Sequence, residues 1–384
     1  MNKVLEKFGT PTYVFDINVL KDRISYLKNK LGDNINLIYA VKANTFIAKE
    51  VETLVSAYEI CSPGEFDICN KLGIAHSKMV ISGVYKDKES TEMMVKDHSD
   101  IHRFTIESEN QWKLLSQLAE KYNKQLNVLI RLTSGNQFGV NEDIFKKIIK
   151  ENDNNLLKIK GIEYFSGTQK HSVKRLNREV DYLIEFVSSI EKEFNITLEE
   201  IEYGTGFPVF YFVDDEFNEG EFLDAAKEAL NKIKNKKISI ELGRSIAASC
   251  GTYLTSVVDL KTNQNGNFVI LDGGIHHLVY YGGNMAMRIP KFDLLQKAKK
   301  EEEIYNLYGS LCTINDILVK SLTVNKLSLG DVFIFKNTGA YSAFEGISLF
   351  LSRDLPKVVL KKDDELMLVR DNLKTSKINY PNYK

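Results

Sequence analysis

Cysteine is scarce in this chain: four residues in 384, at Cys61, Cys69, Cys250 and Cys312. They are scattered, with no paired metal spacing, so they read as free thiols in a cytosolic, cytoplasmic protein. Charge of one sign is missing as well. The 51 basic and 52 acidic residues leave a net charge of −1, which gives no electrostatic case for nucleic acid or an anionic membrane surface. No apolar run approaches the roughly 20 residues that span a bilayer. Met1 to Thr10 carry charges without an apolar centre, so they do not read as a secretory signal. Metal ligation has little to stand on, since His98 and His102 are four apart with no evident third ligand.

What is present is an alternation. Strand-like apolar runs at 36–41, 57–61, 79–82, 101–106, 126–132, 159–165, 199–203 and 237–241 are separated by amphipathic stretches such as 107–122 and 176–194. Eight β/α units suit a parallel (β/α)8 barrel over about residues 25–250. Beyond 250 the pattern changes to short strands with turns between them: Val257–Leu260, Phe268–Leu271, Ile304–Tyr308 and Val332–Phe335. This predicts a β-sandwich or β-barrel domain over 251–384, which residues 1–24, with the orphan strand Tyr13–Phe15, could join. The run from Lys297 to Glu303 reads as a solvated loop or helix end, and Leu373 to Lys384 as frayed.

In such a barrel the chemistry sits at the C-terminal ends of the strands, and the informative residues fall there. Leu37 to Val41 form an apolar run that ends in Lys42. A lysine buried at that point would have a lowered pKa and could form a Schiff base. It could equally be a lysine reaching solvent at a strand end. Glu59 and Arg131 end two further strands. Gly167-Thr168-Gln169 follows Phe165, and Gly204-Thr205-Gly206-Phe207 follows Ile201. Such glycines let backbone N–H groups converge on a phosphate, although glycines after strands are often only turns. Gly243 and Arg244 offer a second such turn. Glu241 ends an apolar strand, where a carboxylate needs a partner or a shifted pKa. It could hold a pyridine nitrogen protonated, or pair with Arg131 or Arg244.

Taken together, these segments resemble the fold-type III pyridoxal-phosphate decarboxylases, the group of diaminopimelate, ornithine and arginine decarboxylases. The resemblance runs from Pro11-Thr12-Tyr13 through Tyr39-Ala40-Val41-Lys42-Ala43-Asn44 and Glu241-Leu242-Gly243-Arg244. It continues to Cys312 with Asp316, and to Gly330-Asp331 and Gly339-Ala340-Tyr341. It implies an alanine-racemase-like barrel with a C-terminal β domain, and pyridoxal 5'-phosphate as cofactor. It also implies a small amino-acid substrate and a homodimer with shared active sites.

By the same resemblance Lys42 would carry the cofactor as a Schiff base and Glu241 would face the pyridinium nitrogen. Thr168, Gly204, Gly206, Gly243, Arg244 and Tyr341 would surround the phosphate. Glu59, Arg131 and Phe165 would lie near the ring. Cys312, from the partner subunit, would reprotonate the α-carbon. Asp272, His276, His277, Thr313 and Asp316 would lie on the substrate side.

The chain departs from the family pattern on that substrate side. Phe165 stands where a histidine is usual and can stack on a ring but carries no proton. Leu242 stands where proline is usual. Thr313 follows Cys312 where an acid is usual, and a neutral threonine is a poor partner for a cationic tail. Asp272-Gly273-Gly274-Ile275-His276-His277, continuing to Tyr280-Tyr281-Gly282-Gly283, lacks the arginine-bearing segment of the diaminopimelate enzymes. Read as a strand, it would point His276 and His277 to opposite faces. These departures lean toward the branch acting in specialised biosynthesis. One member of that branch acts on glutamyl groups tethered to an acyl-carrier protein, and others serve siderophore pathways. The alternatives are decarboxylation of meso-diaminopimelate or another free diamino acid, a racemase, and a non-catalytic homologue. A racemase of this fold would set an arginine against the pyridine nitrogen, and Glu241 speaks against that. Retention of Lys42, Glu241, Cys312 and Tyr341 speaks against lost catalysis.

Overall fold

Strand β1 (Thr12–Asp16) comes before eight strands that close on themselves. These are β2 (Ile35–Ala40), β3 (Ala57–Ile60), β4 (Met79–Ile81), β5 (Arg103–Ile106), β6 (Leu126–Leu132), β7 (Leu157–Phe165), β8 (Glu200–Gly204) and β9 (Lys237–Leu242). All neighbours are parallel, and β2 pairs with β9 to complete the barrel, with Ile38 opposite Glu241. The computed structural model describes residues 1–98, 100–280, 286–296 and 301–382. The fold is the expected (β/α)8 barrel with a separate mixed sheet, and all eight strand runs read from the sequence fall on barrel strands.

Local chemistry explains the strands. Leu37, Ile38, Tyr39 and Ala40 are all buried. A parallel strand covered on both faces needs such a continuous apolar run rather than alternation. The turns into the helices are set by short polar caps. Ser62, Asp87, Ser108, Asn141, Ser172 and Asn218 each accept a backbone N–H three residues on. Each satisfies a donor that the first helical turn leaves open, a contribution of about 1 kcal/mol per cap. These caps hold the β-to-α loops, the loops that carry an active site in this fold.

The remaining strands are β10 (Gly251–Asn263), β11 (Gly266–Leu271), β12 (Phe292–Leu295), β13 (Glu302–Tyr308), β14 (Ile317–Asn325), β15 (Val332–Lys336), β16 (Lys357–Lys362) and β17 (Glu365–Arg370). They form one sheet in the order β14-β13-β11-β10-β1-β16-β17, with β15 paired to both β10 and β12. Strand β1 lies inside this sheet, antiparallel to β10 and parallel to β16. Val14, Leu254, Ile334 and Val359 bury a core there with Val4 and Phe8.

The chain divides into two compact units. One comprises Ile24–Pro208 and Asn218–Ser245, and the other Met1–Arg23, Val209–Phe217 and Ile246–Lys384. The segment Val209–Phe217 falls with the sheet, although the expected boundaries leave it within the barrel.

Three local expectations are corrected. Glu302 and Glu303 are strand residues paired with β14, not a loop or helix end. Thr375 is buried, its hydroxyl donates to Arg353 O at 2.8 Å, and Ser376–Asn379 form a helical turn rather than a frayed tail. Residues 275–277 are a turn, so His276 and His277 do not alternate; their rings lie 3.8 Å apart. Tyr281, Gly282, Gly283 and Lys297–Lys300 lie outside the described residues.

Candidate active site

Lys42 sits in the single turn Val41–Ala43 directly after β2. Its ammonium donates to both oxygens of Glu59, at 2.8 and 2.9 Å, and to Cys61 Sγ at 3.4 Å. Of the two readings of Lys42, buried or reaching solvent at a strand end, the structure shows the second in part. Its side chain is 42 % exposed, while that of Glu59 is 2 % exposed. Burial would raise the Glu59 carboxyl, but the charge and hydrogen bonds of Lys42 overturn that and hold it below the usual range. The strand-end lysine therefore faces solvent on one side and a buried carboxylate on the other, a geometry that keeps it reachable and aimed.

Inside the barrel rim lies a band of carboxylates that sequence reading largely missed. Glu163 on β7, Glu202 on β8 and Glu241 on β9 bring their oxygens within 4.8 Å of one another. Arg131 on β6 reaches Glu163 at 3.2 Å and Glu107 at 3.3 Å. Arg103 on β5 pairs with Glu202, and with Glu200 at 2.5 Å. Burial pushes Glu163 up to about 7 against the pull of Arg131. Burial, and then the charges of Glu59, Glu163 and Glu202, push Glu241 well above the ordinary carboxylate range. Glu241 Oε1 is shut off from solvent and meets no hydrogen-bond partner among the described residues. Arg131, one alternative partner read from the sequence, is engaged with Glu107 and Glu163 instead.

The signal for Glu163 and Glu202 was the one that singled out Glu241: a carboxylate inside an apolar strand. Cys61, beside Lys42, and Lys86 had no such signal. Lys86 donates to Gly83 O at 2.9 Å, and burial lowers it to about 8.

Three neighbouring strands supply the glycine turns. Gly167 (φ +130°) and Thr168 follow β7, Thr205 and Gly206 (φ +60°) follow β8, and Gly243 and Arg244 follow β9. A Cβ on Gly206 would collide with the carbonyl oxygen of Gly167. A Cβ on Gly204 would collide with the ring of Phe165. That ring lies 5.9 Å from the Arg131 guanidinium. Thr205 Oγ1 is buried without a hydrogen-bond partner among the described residues.

The remaining expected residues lie in the sheet unit. Cys312 is exposed and is a free thiol. The neighbouring Thr313 accepts the Asn315 N–H on its hydroxyl at 3.3 Å. Asp316 is fully buried and accepts the N–H groups of Ile275 at 2.8 Å and Leu311 at 2.7 Å. A Cβ on Gly274 or Gly309 would collide with its carboxylate, so those glycines make room for it. Asp316 thereby anchors the turn that displays Cys312. Asp272 accepts from Thr10 at 2.5 Å, Thr255 at 2.6 Å and the Ser256 N–H at 3.0 Å.

His277 bridges Tyr253 OH (3.0 Å) and Asp354 O (2.8 Å), and burial lowers its ring to about 3. Burial lowers His276 to about 4, and its ring nitrogens meet no partner among the described residues. Both imidazoles border a cavity of about 670 Å³ with Asp272 and Arg353. Tyr341 has a left-handed backbone (φ +65°), and its carbonyl accepts the N–H of Phe344 at 2.7 Å.

An amine aimed by a carboxylate, an acid with a raised pKa and three glycine turns thus lie at the C-terminal ends of the barrel strands. The family model described as "Pyridoxal-dependent decarboxylase, C-terminal sheet domain" matches residues 12–339, and the chain belongs to that family. It is an amino-acid decarboxylase that uses pyridoxal phosphate. It is 26% identical to the L-glutamyl-[BtrI acyl-carrier protein] decarboxylase of Niallia circulans, over 95% of this chain and 92% of that protein. It is 28% identical to the diaminopimelate decarboxylase of Haemophilus influenzae, over 96% of this chain and 92% of that protein. The solved diaminopimelate decarboxylase of M. jannaschii, in complex with L-lysine, superposes with a TM-score of 0.85. It covers 98% of this chain and 93% of that chain at 24% identity, a likeness of fold.

Proposed function

We propose that the chain decarboxylates an amino acid whose distal end is not a free ammonium, with a carrier- or conjugate-bound acyl amino acid as the best fit. The observation that carries this reading is Thr313. It stands beside exposed Cys312, and its neutral hydroxyl is turned to a neighbouring backbone N–H. A cationic substrate tail would gain no charged partner there. Asp272 and Asp316, the nearby acids, are already occupied by internal donors. The relative named for an L-glutamyl carrier-protein substrate supports the same direction.

In this reading Lys42 holds the cofactor covalently, and Glu59 orients the lysine amine. Glu241 would stand at the pyridine nitrogen and hold a proton there, since its buried Oε1 has no other partner among the described residues. The turns at Gly204–Gly206, Gly167–Thr168 and Gly243–Arg244 take the phosphate, and Phe165 packs against the ring. Bound pyridoxal phosphate supplies the electron sink for the pair left when the substrate's α-carboxylate departs as carbon dioxide. Cys312, from the sheet unit of a partner subunit, then gives its thiol proton to the α-carbon, and the product leaves as an amine.

The test is carbon dioxide release by the holoenzyme from meso-diaminopimelate, lysine, ornithine, arginine, glutamate and a glutamyl-carrier conjugate. Release from the conjugate alone is the expected result. Efficient release from a free diamino acid would overturn the substrate assignment.

A further inference from the structure

Lys170, in the loop after β7, is 4 % exposed and plays no part in the chemistry just described. Its main-chain N–H donates to Gly206 O at 2.9 Å, and its ammonium donates to Gly204 O at 3.3 Å. The same ammonium reaches Glu179 Oε2 at 2.8 Å, Ser166 Oγ at 3.0 Å and Tyr203 OH at 3.2 Å. Glu179, on the helix Val173–Phe194, also accepts from Ser166 Oγ at 2.6 Å, from Arg175 Nε at 2.8 Å and from Tyr203 OH. The Lys170 Cε lies 3.0 Å from the point where a Cβ on Gly206 would stand. Burial would raise the Glu179 carboxyl, but Lys170 and the hydroxyls hold it down to about 2.

A buried ion pair is weak evidence for stability, because well-packed apolar residues often serve as well. What the cation does here that an apolar side chain would not is hold the Gly204 carbonyl, while the main-chain N–H of the same residue holds that of Gly206. A trans peptide is planar, with its C=O and N–H pointing in opposite directions. Fixing the carbonyls of Gly204 and Gly206 on Lys170 therefore turns the N–H groups of Thr205 and Phe207 to the far side of the turn. Neither N–H takes part in a backbone hydrogen bond among the described residues. Successive N–H groups around a left-handed glycine form an anion-binding concavity.

We propose that Lys170 is a positioning residue that clamps the Gly204-Thr205-Gly206 turn so that the N–H groups of Thr205 and Phe207 meet the cofactor phosphate. The proposal rests on the assignment of that turn to the phosphate. Lys170 stands on the carbonyl side and acts through the backbone rather than by touching the anion.

The test compares pyridoxal phosphate with pyridoxal, which lacks the phosphate. Binding to the resolved protein is measured by equilibrium titration, with borohydride capture on Lys42 read by mass spectrometry. Lys170→Met keeps most of the side-chain volume and removes the ammonium. It is expected to weaken pyridoxal phosphate about tenfold, the loss of roughly one charge-assisted hydrogen bond, and to leave pyridoxal within about twofold. Equal weakening of both ligands, or of neither, overturns the clamp and leaves the phosphate assignment standing. A wild-type protein with no preference for the phosphate ester overturns both. Should Lys170→Met fail to fold, Glu179→Gln carries the same comparison with a smaller expected loss. Unchanged selectivity there overturns the clamp.

Discussion

The barrel unit and the sheet unit treat buried polar groups in opposite ways. In the sheet unit, Asp272, Asp316 and His277 each spend their hydrogen-bonding capacity on internal partners. In the barrel, Glu241 keeps an oxygen without a partner, Thr205 keeps a hydroxyl without one, and Lys42 stays partly exposed. Internal satisfaction builds a rigid frame, whereas dissatisfaction at a rim is what a ligand can relieve. The exceptions in the sheet unit are His276 and the hydroxyls of Thr252 and Thr338, which meet no partner among the described residues.

Breaking the barrel side should remove chemistry and spare the fold. Lys42→Ala is expected to abolish covalent capture of the cofactor and to reduce turnover by about a thousandfold or more, with little change in melting temperature. Retained capture after borohydride treatment would mean that another lysine is used.

Glu241→Gln sharpens the contrast further. The folded carboxyl has a raised pKa, so it weighs against folding at any pH above its unfolded value of about 4.5. The amide removes that burden. The variant should gain about 1 kcal/mol of stability at pH 8 in denaturant melts of the cofactor-free protein, while turnover falls roughly a hundredfold.

Breaking the sheet side should do the reverse. Asp316→Ala strands the N–H groups of Ile275 and Leu311, and is expected to destabilise by about 2–4 kcal/mol in chemical denaturation. The sheet unit should also be acid-sensitive through His277. Its folded pKa of about 3 lies below the unfolded value of about 6.5, so the unfolded state binds the extra proton as pH falls through that window. Stability should drop by about 2–3 kcal/mol between pH 6.5 and 4.5, and His277→Gln should flatten that slope.

The smallest effect is expected at the exposed loop. Thr313→Glu should shift preference toward substrates with a cationic tail by about tenfold in kcat/KM. An unchanged ratio would remove Thr313 from specificity.

The barrel was legible because most of its parallel strands are short apolar runs, as at Leu37 to Ala40, and six of the eight lead into a capped helix, as at Ser62. Strands β16 and β17 were not, because Lys361, Lys362 and Glu365 interrupt their apolar pattern. At the rim, Lys42 and Glu241 could be read from their position at strand ends. Lys170 could not, because its neighbours Glu179 and Tyr203 are 9 and 33 residues away and only the barrel's curvature gathers them. Asp316 was legible as a motif residue, but its anchoring task emerges only when Gly274 and Gly309 are seen against it.

The sheet position of β1 sets an order of events during synthesis. Val14 lies opposite Thr252 on one side and Val359 on the other. A ribosome adding about 5–20 residues per second needs roughly 20–70 s to travel from the first of these valines to the second. Until β10 is made, β1 is unpaired on both sides, and from then until β16 follows, one apolar edge of β1 stays open with the barrel residues already made. Chaperone capture of the segment around Tyr13 to Phe15, and its release when residues near 360 leave the exit tunnel, is the timetable this topology imposes.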